Sequence, residues 1–273
     1  MNSIVQPSRP LVRYHGGKWR IAHWIVKHFP THRIYVEPFG GGGSVLLRKP
    51  RAHAEVYNDL DAEIVNLFRV ARNHGEALAR AVALTPFARD EFLESYTAHQ
   101  DPIEQARRTV VRSFMGFGSA SINGQASGFR ANSNRSYTTP AHDWRHWPES
   151  LRAVVERLQG VIVENRDALD VMEAHDSAET LHYVDPPYVH STRNFRERSV
   201  AYRHEMTDAA HLSMAESLQH LRGYVVLSGY RCDLYDDVFH NWERVDRIAH
   251  ADGAKARIES LWLSPNCPRS GLF

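Results

Sequence analysis

Cysteine, long apolar runs and a signal segment are all scarce or missing in this chain of 273 residues. Cys232 and Cys267 lie far apart, and neither has a second cysteine at metal-ligand spacing, so we expect no disulfide framework and no structural zinc. No stretch approaches the roughly 18 consecutive apolar residues of a membrane span, and the first ten residues contain no apolar signal core. We therefore expect an unprocessed protein of the reducing cytoplasm without a membrane segment.

A charge excess is also missing, because 33 basic residues face 32 acidic ones and the net charge is +1. Nucleic-acid binders need only a local basic patch, and two segments carry one. Residues 101–152 hold seven arginines against four acids, and residues 189–204 hold four arginines against one acid. Both segments could contact phosphates, or they could reflect a chain that uses arginine for 29 of its 33 basic residues. The seven arginines of residues 101–152 are Arg107, Arg108, Arg112, Arg130, Arg135, Arg145 and Arg152.

Seventeen histidines raise the question of a metal site. Pairs such as His28 and His32 have no third ligand nearby at a suitable spacing. The histidines therefore do not form a metal-binding motif, and we expect a protein that needs no metal.

Short apolar runs alternate with helical periodicity at both ends of the chain, which is typical of βα units. We predict an α/β fold with a doubly wound, mostly parallel Rossmann-like sheet. Residues 75–157 differ, since helical periodicity in 76–84 and 103–115 is followed by a polar stretch rich in Gly, Ser and Asn. They are predicted to form an insert in a discontinuous domain made of residues 1–74 and 158–273. The predicted strands lie in 33–37, 54–58, 161–164, 180–184, 224–227 and 258–263.

A glycine loop follows the first predicted strand, where Glu37-Pro38-Phe39 runs into Gly40-Gly41-Gly42-Gly43 and then a helix. Glycine permits positive φ and close approach of a ligand, and the following helix offers free N–H groups. The loop thus indicates a nucleotide-like ligand, although a tight βα turn with surplus glycine is the alternative. Asp59, about twenty residues further on, stands where such domains place an acid on ribose hydroxyls. Asp61 is predicted to be the N-cap of the next helix.

The sequence Asp185-Pro186-Pro187-Tyr188 comes directly after a predicted strand. The Asp185 carboxylate and the Pro186 carbonyl can accept the two N–H bonds of an amino group and free its lone pair for in-line attack. Pro187 fixes its own φ and restricts Pro186 towards extended backbone, while Tyr188 offers a ring on which a flipped base can stack. The tetrapeptide therefore predicts methylation of a ring-bound amine.

The chain resembles the Dam-type DNA adenine-N6 methyltransferases of bacteria and phages. The resemblance rests on Arg13-Tyr14-His15-Gly16-Gly17-Lys18, the glycine loop, Asn58-Asp59 and the Asp185 tetrapeptide, in that order. It covers most of the chain. It implies S-adenosylmethionine as cofactor, double-stranded DNA as substrate and residues 75–157 as the target-recognition lobe.

The resemblance also implies roles for single residues. Tyr14 and Lys18 would line the methionine end of the cofactor, Asp59 the ribose, and Asp185 both cofactor and target amine. Gly17 is also predicted to contact the cofactor. Asp167 follows a predicted strand and would either bond the cofactor's adenine or cap a helix. The remaining predicted cofactor contacts are Glu37, Pro38, Phe39, Gly40 and Gly42.

The insert carries Asn123-Gly124, a strong signal for a hairpin turn. Such a hairpin could enter DNA, with an arginine on guanine and an aromatic wedge at an opened step; a solvated loop is the alternative. The hairpin is rich in Ser, Gly and Asn where the family has Asn and Tyr, so no target sequence is assigned. The predicted DNA contacts are Phe117, Asn123, Phe129, Arg130, Arg135 and Arg193.

Other readings of the same motifs stay open. Methylation could fall on cytosine N4, RNA adenine or a protein glutamine, but the related tetrapeptides begin with Ser in the cytosine enzymes and Asn in the glutamine enzymes, whereas this one begins with Asp185. A catalytically silent DNA-binding relative would show a damaged motif, and none is damaged. A dehydrogenase would leave the tetrapeptide unexplained, and its glycine spacing is not matched.

Overall fold

The computed structural model describes residues 6–118, 122, 124, 126–134, 138–192, 202–250 and 256–268. The chain divides into two compact units. The first takes in residues 1–19, 41–48 and 61–163, and the second takes in residues 20–40, 49–60 and 164–273. Asn123, Arg135 and Arg193, three of the predicted DNA contacts, lie outside the described residues.

In the described ranges, seven strands form one sheet in the order β3-β2-β1-β4-β5-β7-β6. β1 pairs in parallel with β2 and β4, and β4 with β5, whereas β7 is antiparallel to both β5 and β6. The predicted doubly wound, mostly parallel sheet is confirmed. The strands are β1 (Ile34–Glu37), β2 (Ala54–Asn58), β3 (Val161–Glu164), β4 (Thr180–Val184), β5 (Tyr224–Tyr230), β6 (Glu243–His250) and β7 (Ala256–Leu263).

Of the seven strands, the second unit contains all but residues 161–163 of β3, which belong to the first unit. It is built around β1, β2, β4 and β5, whose residues are mostly buried. All five residues of β4 are buried, as expected of a central parallel strand. Helices of the second unit cover the sheet, and their apolar residues, such as Met214 and Leu218, pack with Val225 and Trp262 in one core cluster. These helices are α1 (Ala22–Val26), α8 (Ala168–Ala174), α9 (Asp208–His220) and α10 (Asp233–Val238).

The described elements of the first unit are helices, apart from residues 161–163 of β3. Asp61 caps α3 by accepting the Glu63 N–H at 3.0 Å, as predicted, and Asp101 caps α5 in the same way. The helical periodicity predicted in 76–84 and 103–115 falls on α3 and α5 and is confirmed there. The helices are α2 (Ser44–Arg48), α3 (Ala62–Ala83), α4 (Arg89–Glu94), α5 (Pro102–Met115), α6 (Pro140–Arg145) and α7 (Trp147–Leu158).

Residues 75–157 all belong to the first unit, which also includes residues 1–19, 41–48, 61–74 and 158–163. The compact unit is thus larger than the predicted insert, and the assignment of 75–157 to target recognition stays a prediction. The two arms of the predicted hairpin do meet. Phe117 donates its N–H to Gly128 at 2.7 Å, and Arg130 donates to Met115 at 2.8 Å. Gly124 has a φ of 79°, which suits a turn.

Strand order marks a ligand position on the sheet. From β1 the chain continues to β2 and β3 on one side, whereas β4 and β5 lie on the other. The neighbouring pair β1 and β4 is therefore the point where the strand order reverses, and open α/β sheets bind ligands at the carboxyl ends of such strands. The Glu37 motif and the Asp185 tetrapeptide follow these two ends.

Candidate active site

Asn58, at the end of β2, ties three chain segments together at this edge of the sheet. Its fully buried side chain donates to the carbonyls of Pro38 at 2.9 Å and Arg166 at 3.0 Å, and it accepts the Arg166 N–H at 2.9 Å. The Gly40 N–H in turn donates to the Asn58 carbonyl at 2.7 Å. Asn58 therefore fixes the backbone at Pro38 through its side chain and at Gly40 through its own carbonyl, although the sequence singled it out only as the neighbour of Asp59.

Glu37, at the end of β1, is buried and has a partner on its own strand. The Tyr35 hydroxyl donates to Glu37 Oε2 at 2.7 Å. Burial, followed by the Glu37 charge, raises the pKa of Tyr35 well above its ordinary value, so the phenol stays a neutral donor. Tyr35 was missed as a site residue, although side chains two positions apart on a strand share one face.

The glycine at position 40 is required by its surroundings. A Cβ built there would lie 2.2 Å from Cε2 of Tyr57, a buried residue of β2. The backbone of the loop thus passes directly over an aromatic ring, where only glycine fits.

Asp59 and Asp167 follow the ends of β2 and β3. Asp59 is half-buried, and its carbonyl accepts the side-chain amide of Asn165 at 2.7 Å, which fixes the turn that carries its carboxylate. Asp167 is exposed and caps α8 by accepting the Leu169 N–H at 2.8 Å. The cap role predicted for Asp167 is confirmed, and its contact with adenine stays a prediction.

In the first unit, the Tyr14 motif meets the second half of the glycine loop. A Cβ at Gly41 would lie 2.7 Å from the Tyr14 ring, and a Cβ at Gly42 would lie 3.0 Å from the Tyr14 Cβ; Gly41 also has a φ of 48°. Gly17 donates its N–H to the Tyr14 carbonyl at 3.2 Å. Lys18 is buried, and its Nζ donates to the Gly16 carbonyl at 3.0 Å. Two motifs that are separate in sequence therefore form one backbone cradle around Tyr14.

The tetrapeptide after β4 has a half-buried Asp185 and a well-anchored tyrosine. The Tyr188 hydroxyl donates to Glu259 Oε1 at 2.9 Å, and the Tyr188 ring lies 4.3 Å from the Tyr230 ring, centroid to centroid. Only 9% of Tyr188 is exposed. Burial, then the Glu259 charge, raises the pKa of Tyr188 well above its ordinary value, so this phenol also stays neutral. Neither Glu259 nor Tyr230 was singled out from the sequence.

In the basic segment 101–152, the arginines of α5 form ion pairs with glutamates and not the predicted phosphate patch. On α5, Arg107 pairs with Glu91 and Glu104, and Arg108 pairs with Glu94 and Glu104. Arg112 pairs with Glu63 and is 2% exposed. These three guanidiniums are neutralised within the first unit, so the phosphate interpretation is wrong for them. The Arg-rich composition contained structural ion pairs instead.

Three predicted DNA contacts have different surroundings. Phe117 is 74% exposed. Phe129 is half-buried against Phe87 and Phe92, at centroid distances of 5.2 and 5.9 Å. Arg130 is half-buried and donates from Nη1 to the Phe114 carbonyl at 2.9 Å. Phe117 is thus the one of these three that the fold presents to solvent.

Among the described residues, no group of three or more His, Cys, Asp or Glu side chains could hold a metal ion. None of the described helices is long and apolar enough to cross a membrane.

A seven-stranded sheet of this order, with the Asp185 tetrapeptide directly after β4, defines a Rossmann-like methyltransferase. Comparison with known families then narrows the class. Residues 14–251 match the D12 class N6 adenine-specific DNA methyltransferases, and the chain belongs to this family.

Individual relatives are distant. The chain is 26% identical over 258 residues to the DNA adenine methylase of Serratia marcescens, covering 87% of this chain and 89% of that protein. The Haemophilus influenzae DNA adenine methylase is 26% identical over 192 residues, or 66% of this chain and 64% of that protein, which is just under two thirds of its length. The type II methyltransferase M.MjaIII of Methanocaldococcus jannaschii is 23% identical over 208 residues, 66% of this chain and 69% of that protein.

Proposed function

We propose that this protein transfers a methyl group from S-adenosylmethionine to the N6 amino group of adenine, in a specific double-stranded DNA sequence and after base flipping. One observation carries the proposal: the Asp185 tetrapeptide follows β4, beside β1, at the edge where the strand order reverses. The relatives from Haemophilus influenzae and Serratia marcescens are DNA adenine methylases, which favours the same substrate here.

The chemistry follows from the acceptors of the tetrapeptide. An adenine amine is conjugated to its ring, so its lone pair is a poor nucleophile until its N–H bonds are held away from the ring plane. The Asp185 carboxylate and the Pro186 carbonyl would accept those two bonds and direct the lone pair at the methyl group. When bound, S-adenosylmethionine supplies a methyl on positively charged sulfur, which departs as a neutral thioether. Asp185 or solvent takes the released proton.

The residues present suit S-adenosylmethionine. The absence of a Cβ at Gly41 and Gly42 lets the glycine loop approach Tyr14 closely, so that this predicted cofactor contact lies directly against the loop. Asp59 offers a half-buried carboxylate for ribose hydroxyls, and Glu37 offers a second carboxylate that Tyr35 already orients. Tyr14 and Lys18 would contact the methionine end, and Gly17 would contact the cofactor beside them.

The proposal is tested by incubating the protein with methyl-labelled S-adenosylmethionine and genomic DNA that lacks N6-methyladenine. Nucleoside analysis identifies the modified base, and sequencing of modified positions gives the target. We expect N6-methyladenine in one fixed sequence context. Asp185→Ala should abolish transfer, because it removes an acceptor of the target amine, whereas Asp237→Ala, an exposed aspartate on α10, should not.

Other products would reassign the substrate. N4-methylcytosine would change the base and keep the fold and cofactor. Transfer to RNA or protein alone, with cofactor bound, would overturn the DNA assignment. Cofactor binding without any transfer would indicate a silent DNA-binding relative.

A further inference from the structure

A buried carboxylate lies next to the tyrosine of the tetrapeptide. Glu259 on β7 is 3% exposed, and β7 runs antiparallel to β5, with Glu259 opposite Tyr230. Burying a carboxylate is unfavourable unless donors satisfy it. Two hydroxyls converge on its Oε1: Tyr188 at 2.9 Å and Ser228, from β5, at 3.1 Å.

Stability alone is a weak reason for an acid at this position. A pair of packed apolar side chains stabilises two adjacent strands at least as well as a buried charged group does. Glu259 is nevertheless buried here, and it accepts a hydrogen bond directly from the tyrosine of the Asp185 tetrapeptide. Its effect is to fix the end of the Tyr188 side chain that lies furthest from the backbone.

The Tyr188 ring is constrained at three points. The prolines at 186 and 187 restrict the backbone before it, the Tyr230 ring packs against it with the ring centroids 4.3 Å apart, and Glu259 holds its hydroxyl. Because only 9% of Tyr188 is exposed, a base could contact only a narrow part of it. A small rotation of the ring would therefore remove the contact, and the hydroxyl anchor prevents that rotation.

We propose that Glu259 is a positioning residue for methyl transfer, which holds Tyr188 through its hydroxyl in the orientation that receives the target base. Ser228 supports it by orienting the same carboxylate oxygen. This inference rests on the proposed function and adds to it a residue outside every motif of the sequence.

The test measures kcat and KM for methyl transfer to genomic DNA lacking N6-methyladenine. Rates are expressed per S-adenosylmethionine-binding site, and the number of these sites is measured by calorimetry. We expect Glu259→Ala to lower kcat about 10- to 100-fold, as expected of a misplaced reacting group, with the KM for S-adenosylmethionine unchanged. Glu259→Gln keeps an acceptor oxygen for both hydroxyls and should retain most of the activity. Tyr188→Phe should lower kcat as Glu259→Ala does.

The double variant separates positioning from a merely structural role. If Glu259 acts through the Tyr188 hydroxyl, Glu259→Ala combined with Tyr188→Phe should lose no more than the worse single variant. Ser260→Ala is the matched control: the next residue of β7 is equally buried, but its hydroxyl donates to Asp246 at 2.8 Å, and kcat should not change.

Four results would overturn the inference while the wild-type protein is active: an unchanged kcat in Glu259→Ala, Gln behaving like Ala, losses that multiply in the double variant, or an equal loss in Ser260→Ala. Absence of methyl transfer by the wild-type protein would instead overturn the proposed function itself. The two failures are therefore told apart by the wild-type measurement.

Discussion

Two aspartates near the end of β2, separated by one residue, are predicted to have different roles: Asp59 binds the cofactor and Asp61 caps a helix. Asp61 is 1% exposed and caps α3, whereas Asp59 is half-buried. A hydrogen bond to a charged group contributes about 1.5–3 kcal/mol, so we expect Asp59→Ala to weaken S-adenosylmethionine binding about 10- to 100-fold by calorimetry. Asp61→Ser keeps a helix cap and should leave the affinity unchanged. Equal affinities in all three proteins would remove Asp59 from the cofactor site.

Gly40 tests the local packing of the glycine loop. An alanine Cβ would lie 2.2 Å from the Tyr57 ring, and this buried ring has to shift. Overpacking of this kind costs about 1–3 kcal/mol, so Gly40→Ala should lower the melting temperature by several degrees. Gly229→Ala is the control, because its nearest contact would be Tyr235 at 3.4 Å, and it should change the melting temperature less. The two measurements use the same thermal scan without ligand.

At the scale of the element, α5 is held to its neighbours by charge. Hydrogen bonds from Arg107, then from Arg108, hold the pKa of Glu104 at about 2, below its ordinary value of 4.5. Because the pKa is depressed in the folded state, Glu104 stabilises the protein above pH 4.5, and this contribution is lost as the pH falls from 4.5 towards 2.

Glu104→Gln should therefore lower the melting temperature at pH 7. The difference in melting temperature between pH 7 and pH 3 should be smaller in this variant than in the wild-type protein. Glu76→Gln, an exposed residue of α3, should follow the wild-type protein at both values. If Glu104→Gln melts like the wild-type protein at pH 7, the ion pairs of Glu104 with Arg107 and Arg108 contribute nothing to folding.

Strands were predicted well where their residues are apolar on both faces. The runs at 54–58, 161–164 and 180–184 match β2, β3 and β4 residue for residue. The edge strand β6 was missed, because its sequence Glu-Arg-Val-Asp-Arg-Ile-Ala-His contains no apolar run and receives its pairing from β7. An edge strand packs one side against a neighbour, so its pattern depends on that neighbour, which a local window does not contain.

Across the whole molecule, the sequence predicted the short motifs of the site but not the residues that hold these motifs in place. Glycine spacing and the tetrapeptide are short-range signals. Asn58, by contrast, acts on Arg166 across 108 positions, and Glu259 acts on Tyr188 across 71. Such contacts depend on strand order, which brings residues far apart in sequence to one edge of the sheet. Sequence reasoning therefore names the groups that would touch a ligand more readily than those that hold them in place.

The distribution of arginine in the first unit predicts which side chains contribute to DNA affinity. Since Arg107, Arg108 and Arg112 are paired with glutamates, Arg145 and Arg152, two exposed arginines of the same basic segment 101–152, are better placed for phosphate contact. Each phosphate contact contributes about 0.9 to the slope of log affinity against log salt concentration. We expect Arg145→Ala and Arg152→Ala each to weaken DNA binding and to reduce that slope by about one.

Arg108→Ala is the informative contrast in the same titration. Loss of its pairs with Glu94 and Glu104 should destabilise the protein and lower the fraction able to bind. A smaller binding-competent fraction shifts the whole line of log affinity against log salt without changing its slope, because counterion release depends only on the contacts made by molecules that bind. An unchanged slope in Arg108→Ala beside reduced slopes in the other two would assign the arginines to separate roles. A reduced slope in Arg108→Ala would mean that its ion pairs open when DNA binds.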